Sequence, residues 1–178
     1  LEPRYRALVL VGGYTGLRIG EATHLRPDHL NLLRRQLRVV EHLKTEASLR
    51  TVSLPRFLVE ELAQHLGKYR GEYVFIAPEG GQVRPQNFRR RAWRPVAPEG
   101  VRFHDLRHSH AAMLIAAGVH PKVIQERLGH TSIKTTLDIY GHLYDGLDEA
   151  AADTLDDVFE RSRVDKMWPS STGQLAQS

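Results

Sequence analysis

In one segment of this chain the apolar residues recur at every second position, whereas on both sides of it they recur at the three- and four-residue spacing of helices. Within residues 29–54 the apolar residues alternate in three short runs: Leu30 and Leu32, Leu37 and Val39, Val52 and Leu54. Alternation at period two is typical of strands that bury one face, whereas the flanking segments repeat at three and four residues. The pattern predicts an α+β domain, mainly helical, with a small antiparallel three-stranded sheet.

Start and stop signals divide the rest of the chain into helices of ordinary length. Pro121 and Gly129, for example, stand at the two ends of one apolar run, as first-turn proline and terminal glycine commonly do. The predicted helices cover residues 3–14, 19–25, 56–68, 86–94, 105–117, 121–128, 132–139 and 146–161. A turn is predicted at residues 45–49, a short strand or loop at 73–76, and a loop at 77–85.

Composition limits the classes of protein to consider. With 178 residues, 41% apolar and 26% charged, the chain is long enough for one domain with a hydrophobic core. The absence of cysteine excludes disulfides and thiolate metal sites. Since no apolar stretch has the length of a membrane span and no signal peptide is visible, we expect a cytoplasmic protein without membrane contact.

Charge is distributed unevenly along the chain. Residues 1–145 contain 22 lysines and arginines against 14 aspartates and glutamates, whereas residues 146–178 contain 3 against 7. A basic body suits a polyanionic partner, although ordinary solubility explains a modest positive charge equally well. The acidic C-terminal segment is better suited to contact protein.

Six widely spaced residues make chemical sense as a set. They are Arg18, Lys44, His104, Arg107, His130 and Tyr140. Three cations and two imidazoles can bind and protonate phosphate oxygens, and a phenol can supply a nucleophile. The set therefore suits the attack of a tyrosine oxygen on a phosphodiester.

Local context gives some of these residues a predicted geometry. Arg18 lies between two glycines at a helix-to-helix turn, where Glu21 can reach back and orient its guanidinium. His104 and Arg107 are three residues apart at a helix start, so both can donate to one anion. A surface salt bridge and a helix-capping histidine are the alternative interpretations.

The neighbouring histidines also permit a metal interpretation, which we do not favour. His104 and His108 have the four-residue spacing of helical metal ligands, but neither a cysteine nor a His-Glu-x-x-His motif accompanies them. His110 falls on the apolar side of its helix and is expected in the core.

Four motifs, in this order, resemble those of the tyrosine recombinase catalytic domain, the phage integrase family. The motifs are Thr15-Gly-Leu-Arg18-Ile-Gly-Glu21-Ala, Lys44-Thr45 followed by Ser48-x-Arg50-x-Val52, His104-Asp-Leu-Arg107-His108, and Leu128-Gly-His130 followed by Tyr140. The resemblance covers about residues 3–145. It implies a recombinase fold and a DNA strand-transfer activity.

The resemblance also implies a role for each residue. Tyr140 would attack the scissile phosphorus and form a 3′-phosphotyrosine, while Lys44 would protonate the departing 5′-oxygen. Arg18 and Arg107 would bind the non-bridging oxygens. His104 would accept the tyrosine proton or bind the phosphate, and His130 would add a donor. No metal, ATP or other cofactor is expected.

Double-stranded DNA is the expected partner. Exposed contacts to its phosphates are predicted for two arginine clusters, namely Arg34 and Arg35 with Arg38, and Arg89, Arg90, Arg91 and Arg94. A solvated charged face is the alternative interpretation.

The termini carry expectations about assembly. An amphipathic acidic helix is predicted at residues 146–163. The resemblance implies that this segment docks on a neighbouring protomer in a tetramer, although packing on its own domain is nearly as plausible. Residues 164–178 are expected to be flexible. The DNA-binding domain that usually precedes this catalytic domain is expected to be absent, so that the chain alone binds DNA weakly.

Other functions remain open at this point. A type IB topoisomerase would use similar chemistry and rejoin the same strand. A non-cleaving DNA-binding module would keep the phosphate-binding residues but lack Tyr140 or Lys44. A metal-dependent nuclease is a more distant alternative that resistance to a chelator would dismiss.

Overall fold

The computed structural model describes residues 1–40, 49–144 and 147–162. The chain divides into two compact units, Leu1–Leu143 and Tyr144–Ser178. Within the described ranges, no helix combines the length and the apolar character needed to cross a membrane. The predicted Thr45–Leu49 turn falls largely outside these residues.

Seven α-helices are described in the first unit, close to the predicted positions. They are α1 (Arg6–Thr15), α2 (Ile19–Thr23), α3 (Arg56–Lys68), α4 (Pro85–Phe88), α5 (Asp105–Ala116), α6 (Pro121–Leu128) and α7 (Ile133–Tyr140). Short 3-10 helices precede α1 at Pro3–Tyr5 and follow α2 at Pro27–His29. Another, Gly141–Tyr144, follows α7.

The predicted sheet is present. Its strands are β1 (Leu30–Asn31), β2 (Gln36–Val39) and β3 (Arg50–Ser53), in the antiparallel order β1-β2-β3. Leu37 pairs with Val52, and both are fully buried, which explains the apolar alternation in the sequence. The segment 73–76 contributes an isolated bridge between Ile76 and Gln82 and no strand of its own.

The core lies between the sheet and helices α1 and α3. Leu8 and Val11 of α1 and Leu58 and Leu62 of α3 are fully buried. An aromatic group extends this core toward α4, since Phe88 packs edge-to-face on Tyr5 and Phe103 at ring distances of 5.2 and 5.5 Å. This packing fixes α1, β3 and α5, the elements that carry much of the candidate site.

The basic helix predicted at residues 86–94 differs from a regular α-helix. After α4 the chain continues as a π-helical segment, Arg89–Trp93, and Pro95 follows shortly afterwards. Wider winding changes the angle between successive side chains in this segment. Arg89 and Arg94 line one groove, and Arg91 lines another.

The second unit contains α8, Leu147–Ser162. Its described bounds match the predicted amphipathic helix, and Leu155 and Val158 of the predicted apolar stripe are more than half exposed. Residues 163–178 lie outside the described residues.

Candidate active site

The turn between α1 and α2 brings Arg18 close to the end of α6. Gly16 caps α1 with φ of 70°, a left-handed conformation that suits glycine. A Cβ at this position would lie 2.7 Å from Leu128 and 2.8 Å from His110. The absence of a side chain at Gly16 therefore permits close contact between the turn, α5 and α6.

Glu21 holds two arginines with one carboxylate. Its Oε2 accepts from the Arg18 backbone N–H at 2.7 Å, and its Oε1 accepts from Arg18 Nη1 at 3.0 Å, the contact predicted from the sequence. Arg50 donates to both carboxylate oxygens at 3.0 Å. Burial would raise the pKa of Glu21, but the hydrogen bonds and charges of Arg50 and Arg18 hold it below its usual value.

Arg50 extends this contact to the end of α6. Its Nε donates to the carbonyl of Arg127 at 2.9 Å, one of the terminal helix carbonyls that lack a partner within the helix. The guanidinium lies against Gly129, where an added Cβ would meet Nη1 at 2.7 Å. Arg50 therefore links β3, Glu21 and the turn that precedes His130.

Arg107 makes a second set of links to the same region. Its Nη1 donates to the Gly16 carbonyl and its Nη2 to the Leu128 carbonyl, both at 2.6 Å. The side chain is buried, and its pKa is lowered to about 10 by burial first and then by the nearby positive charge of Arg18. Two of its five N–H donors are occupied, which leaves others for an anion.

His130 stands in the loop between α6 and α7 with one ring nitrogen engaged. Its Nδ1 lies 2.9 Å from the Thr136 hydroxyl. Burial, and then the charges of Arg107 and Arg18, lower its pKa to about 4. The ring is neutral at pH 7, and when Thr136 donates to Nδ1, Nε2 carries the proton that can be donated to a phosphate.

Tyr140 is the last residue of α7, one residue beyond the predicted helix end. Its phenol is buried, and its oxygen lies 2.8 Å from Nδ1 of His108 on α5. Burial raises its pKa, and the nearby charge of Arg107 opposes that rise. The phenol is therefore protonated at neutral pH and lies near enough to Arg107 to be influenced by its charge.

His104 precedes the first residue of α5 without a capping hydrogen bond from its side chain, and it lines a basic groove. Burial, and then the charges of His108 and Arg107, lower its pKa, although the residue remains exposed. The groove has a volume of about 780 Å³, and its lining includes Arg89, Arg94 and Arg102.

The structure thus brings five of the six predicted residues into one region, and the sixth is not described. The charges of Arg18 and Arg107 act on His130, and that of Arg107 acts on Tyr140. The ring of His104 lies 5.0 Å from that of His108, the hydrogen-bond partner of Tyr140. Lys44 lies between β2 and β3 in the sequence, outside the described residues.

The predicted DNA-binding arginines lie on several surfaces. Arg34 and Arg35 are exposed in the turn between β1 and β2, with Arg35 at φ of 53°. Arg90 is exposed, whereas Arg89 and Arg94 share the groove with His104 and Arg91 lines a different one. Among the arginines predicted to bind DNA, Arg89 and Arg94 are therefore the better candidates, because they share a groove with His104.

The described histidines bear on the metal interpretation. Among the residues that the structure describes, no three His, Asp or Glu side chains cluster as metal ligands would. His110 lies in the core, as predicted, with Arg127 Nε 3.5 Å from its Nε2. Its pKa falls to about 4, chiefly through burial.

Two residues at the centre of the cluster have no catalytic or positioning role predicted from the sequence, namely Arg50 and His108. Arg50 lies two residues before buried Val52 on β3, so both side chains are on the same face of the sheet. The strand period could therefore have indicated an inward-facing arginine that needs an anionic partner. His108 shares a helix face with His104, but no local signal connects it with a tyrosine 32 residues away.

Comparison with known proteins agrees with this geometry. The model of the phage integrase family matches residues 1–146. The chain is 31% identical over 180 residues to the ICEBs1 integrase of Bacillus subtilis, which covers 86% of this chain and 49% of that protein. It is 33% identical over 151 residues to a tyrosine recombinase of Thermosipho africanus, covering 81% and 51%. The chain thus spans about half the length of the curated relatives it matches.

Solved structures show the same fold. The Tn1549 transposon integrase, solved in complex with circular intermediate DNA, superposes with a TM-score of 0.71 at 17% identity, covering 87% of this chain and 60% of that one. The XerA recombinase superposes with a TM-score of 0.69 at 24% identity, covering 91% and 59%. With the motifs, the mainly helical fold and the family match in agreement, the chain belongs to the phage integrase family.

Proposed function

We propose that this chain is the catalytic part of a site-specific DNA recombinase. Tyr140 attacks the scissile phosphodiester, forms a 3′-phosphotyrosine and releases a 5′-hydroxyl, which then attacks the phosphotyrosine of a partner strand. The observation that carries this proposal is the buried Tyr140 phenol, hydrogen-bonded to His108 in the same cluster as Arg107. A tyrosine that served only for packing would not need a histidine nitrogen on its oxygen and the charge of Arg107 nearby.

The arginines supply electrostatic stabilisation. Arg18 and Arg107 are held by backbone and carboxylate contacts before any DNA arrives, so little reorganisation is needed when charge develops on the non-bridging oxygens. Removing one donor of this kind typically reduces the rate by about 10²–10³.

Proton transfer and hydrogen bonding complete the reaction. Lys44 protonates the departing 5′-oxygen, a contribution of roughly 10²–10⁴ in rate. His130 and His104 donate to the phosphate. The guanidinium groups and Lys44 take the part that a divalent metal plays in other phosphoryl-transfer enzymes, so the proposed reaction uses no metal ion.

The type IB topoisomerase alternative has less support. The curated relatives above are named integrase and tyrosine recombinase. A non-cleaving DNA-binding module is also less well supported, because binding alone does not require a buried phenol that is hydrogen-bonded to a histidine in this cluster. Joining a strand to a different partner is the activity we propose.

Duplex DNA and further copies of the chain are the proposed partners. Solved relatives include the Tn1549 transposon integrase with circular intermediate DNA and the XerH recombinase bound to its difH substrate. For this chain we infer that the backbone of DNA follows the groove lined by Arg89, Arg94 and His104. We propose that four copies assemble on DNA in the cytoplasm, with α8 docking on a neighbour.

A covalent-capture experiment tests the proposal. Purified protein is incubated with a library of nicked duplexes of random sequence, in which cleavage releases a short 5′-hydroxyl fragment that diffuses away. Wild type should form an adduct that survives denaturing gels, and sequencing of the captured DNA should yield its site.

Matched variants make the result specific to Tyr140. Tyr140→Phe should form no adduct, whereas Tyr69→Phe, whose ring packs on His65, should react like wild type. An adduct in Tyr140→Phe would contradict the assignment of Tyr140 as nucleophile, and the absence of an adduct in wild type would contradict the proposed cleavage activity. Gel mobility of the complex on the recovered site then counts the copies bound.

A further inference from the structure

Tyr140 must lose a proton as it attacks, and the structure offers an acceptor other than His104. The phenol oxygen lies 2.8 Å from His108 Nδ1, and the two rings stand 5.7 Å apart at 59°. Among the described residues, this is the hydrogen bond that the phenol makes. Because the phenol is buried, its proton needs a partner within the protein.

We infer that His108 is a catalytic residue, the general base that receives the Tyr140 proton, while His104 serves the phosphate. This inference rests on the proposed function, since it needs Tyr140 to be the nucleophile. It assigns the two histidines of one helix face to different steps.

The other histidines of the cluster are less well placed for the proton. His130 Nδ1 is already engaged by the Thr136 hydroxyl at 2.9 Å. His104 lies one helical turn before His108, with the two rings edge-to-face at 5.0 Å. It lines the basic groove with Arg89 and Arg94, which is where the DNA backbone is proposed to run.

The short contact suits the arrangement that a base requires. In the tautomer that carries its proton on Nε2, Nδ1 has a lone pair that can accept from the phenol O–H. The position of His108 on α5, one residue after buried Arg107, keeps Nδ1 beside the nucleophile. Geometry of this kind is the first requirement for a general base.

In the proposed cleavage step, the Tyr140 oxygen forms a bond to phosphorus as its proton moves to His108 Nδ1, while the phosphorus–O5′ bond breaks and the 5′-oxygen takes a proton from Lys44. In rejoining, the oxygen of an incoming 5′-hydroxyl attacks phosphorus and its proton returns to Lys44. The bond between phosphorus and Tyr140 breaks, and His108 returns its proton to the phenol oxygen.

The test combines His108 variants with a more acidic phenol at position 140. Single-turnover adduct formation is measured on a captured nicked duplex, for proteins carrying tyrosine or 2,3,5-trifluorotyrosine at that position. His108→Gln should slow cleavage by roughly 10²–10⁴, the range for loss of a general base. The fluorinated phenol loses its proton more easily, so it should recover at least about tenfold of that loss.

Two comparison variants separate proton transfer from structure. His104→Gln should also be slow, but the fluorinated phenol should not recover its rate. His120→Asn, which keeps a capping acceptor at the start of α6, should match wild type. Circular dichroism and DNA binding of each variant report its folding.

The outcomes are distinct. Wild-type rates in His108→Gln, or an equal fractional loss with both phenols, would overturn the assignment of His108. If the fluorinated phenol restored the cleavage rate of His104→Gln and not that of His108→Gln, His104 would be the base and the assignment of His108 would be wrong. If wild type forms no adduct, or if Tyr140→Phe still forms one, the proposed function itself fails, whatever the His108 variants show.

Discussion

Replacing Arg50 by alanine tests how the site is held together. The change removes both bonds to the Glu21 carboxylate and the bond to the Arg127 carbonyl. The side chains of Arg50 and Glu21 are only 9% and 2% exposed, so water cannot easily replace the lost partner. Breaking a buried pair of this kind typically costs about 3–5 kcal/mol.

Arg18 reduces the expected penalty, because its guanidinium still contacts Glu21 Oε1 at 3.0 Å. We therefore expect the lower end of the range, about 3 kcal/mol. For a chain of this size, that corresponds to a fall in melting temperature of roughly 6–12 °C. Thermal unfolding followed by circular dichroism measures it.

The pH dependence of the penalty identifies its electrostatic origin. In wild type, the pKa of Glu21 is lowered, so its contribution to stability is present above the unfolded pKa and is lost as pH falls through the folded value. Without Arg50, burial of the carboxylate is less well opposed, and the orphaned Glu21 takes up a proton on acidification. The difference between wild type and Arg50→Ala should therefore be largest at neutral pH and should shrink below about pH 4.5, the ordinary value for glutamate.

Two further variants serve as controls. Arg6→Ala breaks a bidentate pair with Glu61 in which the arginine side chain is 66% exposed, and it should change the melting temperature little. Glu21→Gln in the Arg50→Ala background removes the orphaned charge and should restore part of the loss. A melting temperature for Arg50→Ala within about 2 °C of wild type, or a penalty equal at pH 4 and pH 7, would refute the reasoning.

Three other predictions address the acid, the DNA contact and the core. Lys44→Ala should cleave poorly, and a substrate with sulfur as the bridging 5′ atom should restore its rate, because a thiolate departs without protonation; no restoration would contradict the role of an acid. Arg89→Ala with Arg94→Ala should weaken DNA binding and reduce the slope of log K against log salt by about 2, whereas Arg91→Ala should change it less, as titrations at several salt concentrations would show. His110 has a pKa lowered to about 4 by burial, so the unfolded chain binds its proton first and stability should fall as pH drops from about 6.5 toward 4; His110→Gln should flatten that fall in thermal melts, and an unchanged slope would contradict it.

The sequence contained most of the fold because its signals are local. The alternation at Leu37 and Val52 places both on the buried face of the sheet, and Pro121 and Gly129 mark the ends of α6. The winding of residues 89–93 was not predictable in the same way. A π-helical segment depends on how Phe88 and Trp93 pack on Phe103, which is a tertiary property.

In the candidate site, too, contacts between residues near each other in the sequence were predictable, and contacts between distant residues were not. The Arg18–Glu21 contact spans three residues and follows from helix geometry. The contacts of Arg50 with Arg127 and of His108 with Tyr140 span 77 and 32 residues, so chain spacing alone does not reveal them. Motif resemblance finds residues that share a reaction, and local spacing finds a positioning residue such as Glu21, whereas contacts between distant residues are found only when the chain is folded.

In the proposed reaction, the arginines supply more positive charge than bound substrate neutralises. Arg18 and Arg50 share the carboxylate of Glu21, and the charge of Glu21 also acts on Arg107, so three guanidinium groups stand against one carboxylate. A phosphodiester brings one negative charge, and further negative charge develops on its oxygens as the tyrosine oxygen attacks. The remaining positive charge is therefore available to the transition state. Interactions that are stronger in the transition state than in the ground state are those that accelerate a reaction. On this argument Arg50 contributes charge as well as position, and a variant that keeps its charge, Arg50→Lys, should retain more activity than Arg50→Gln at equal stability.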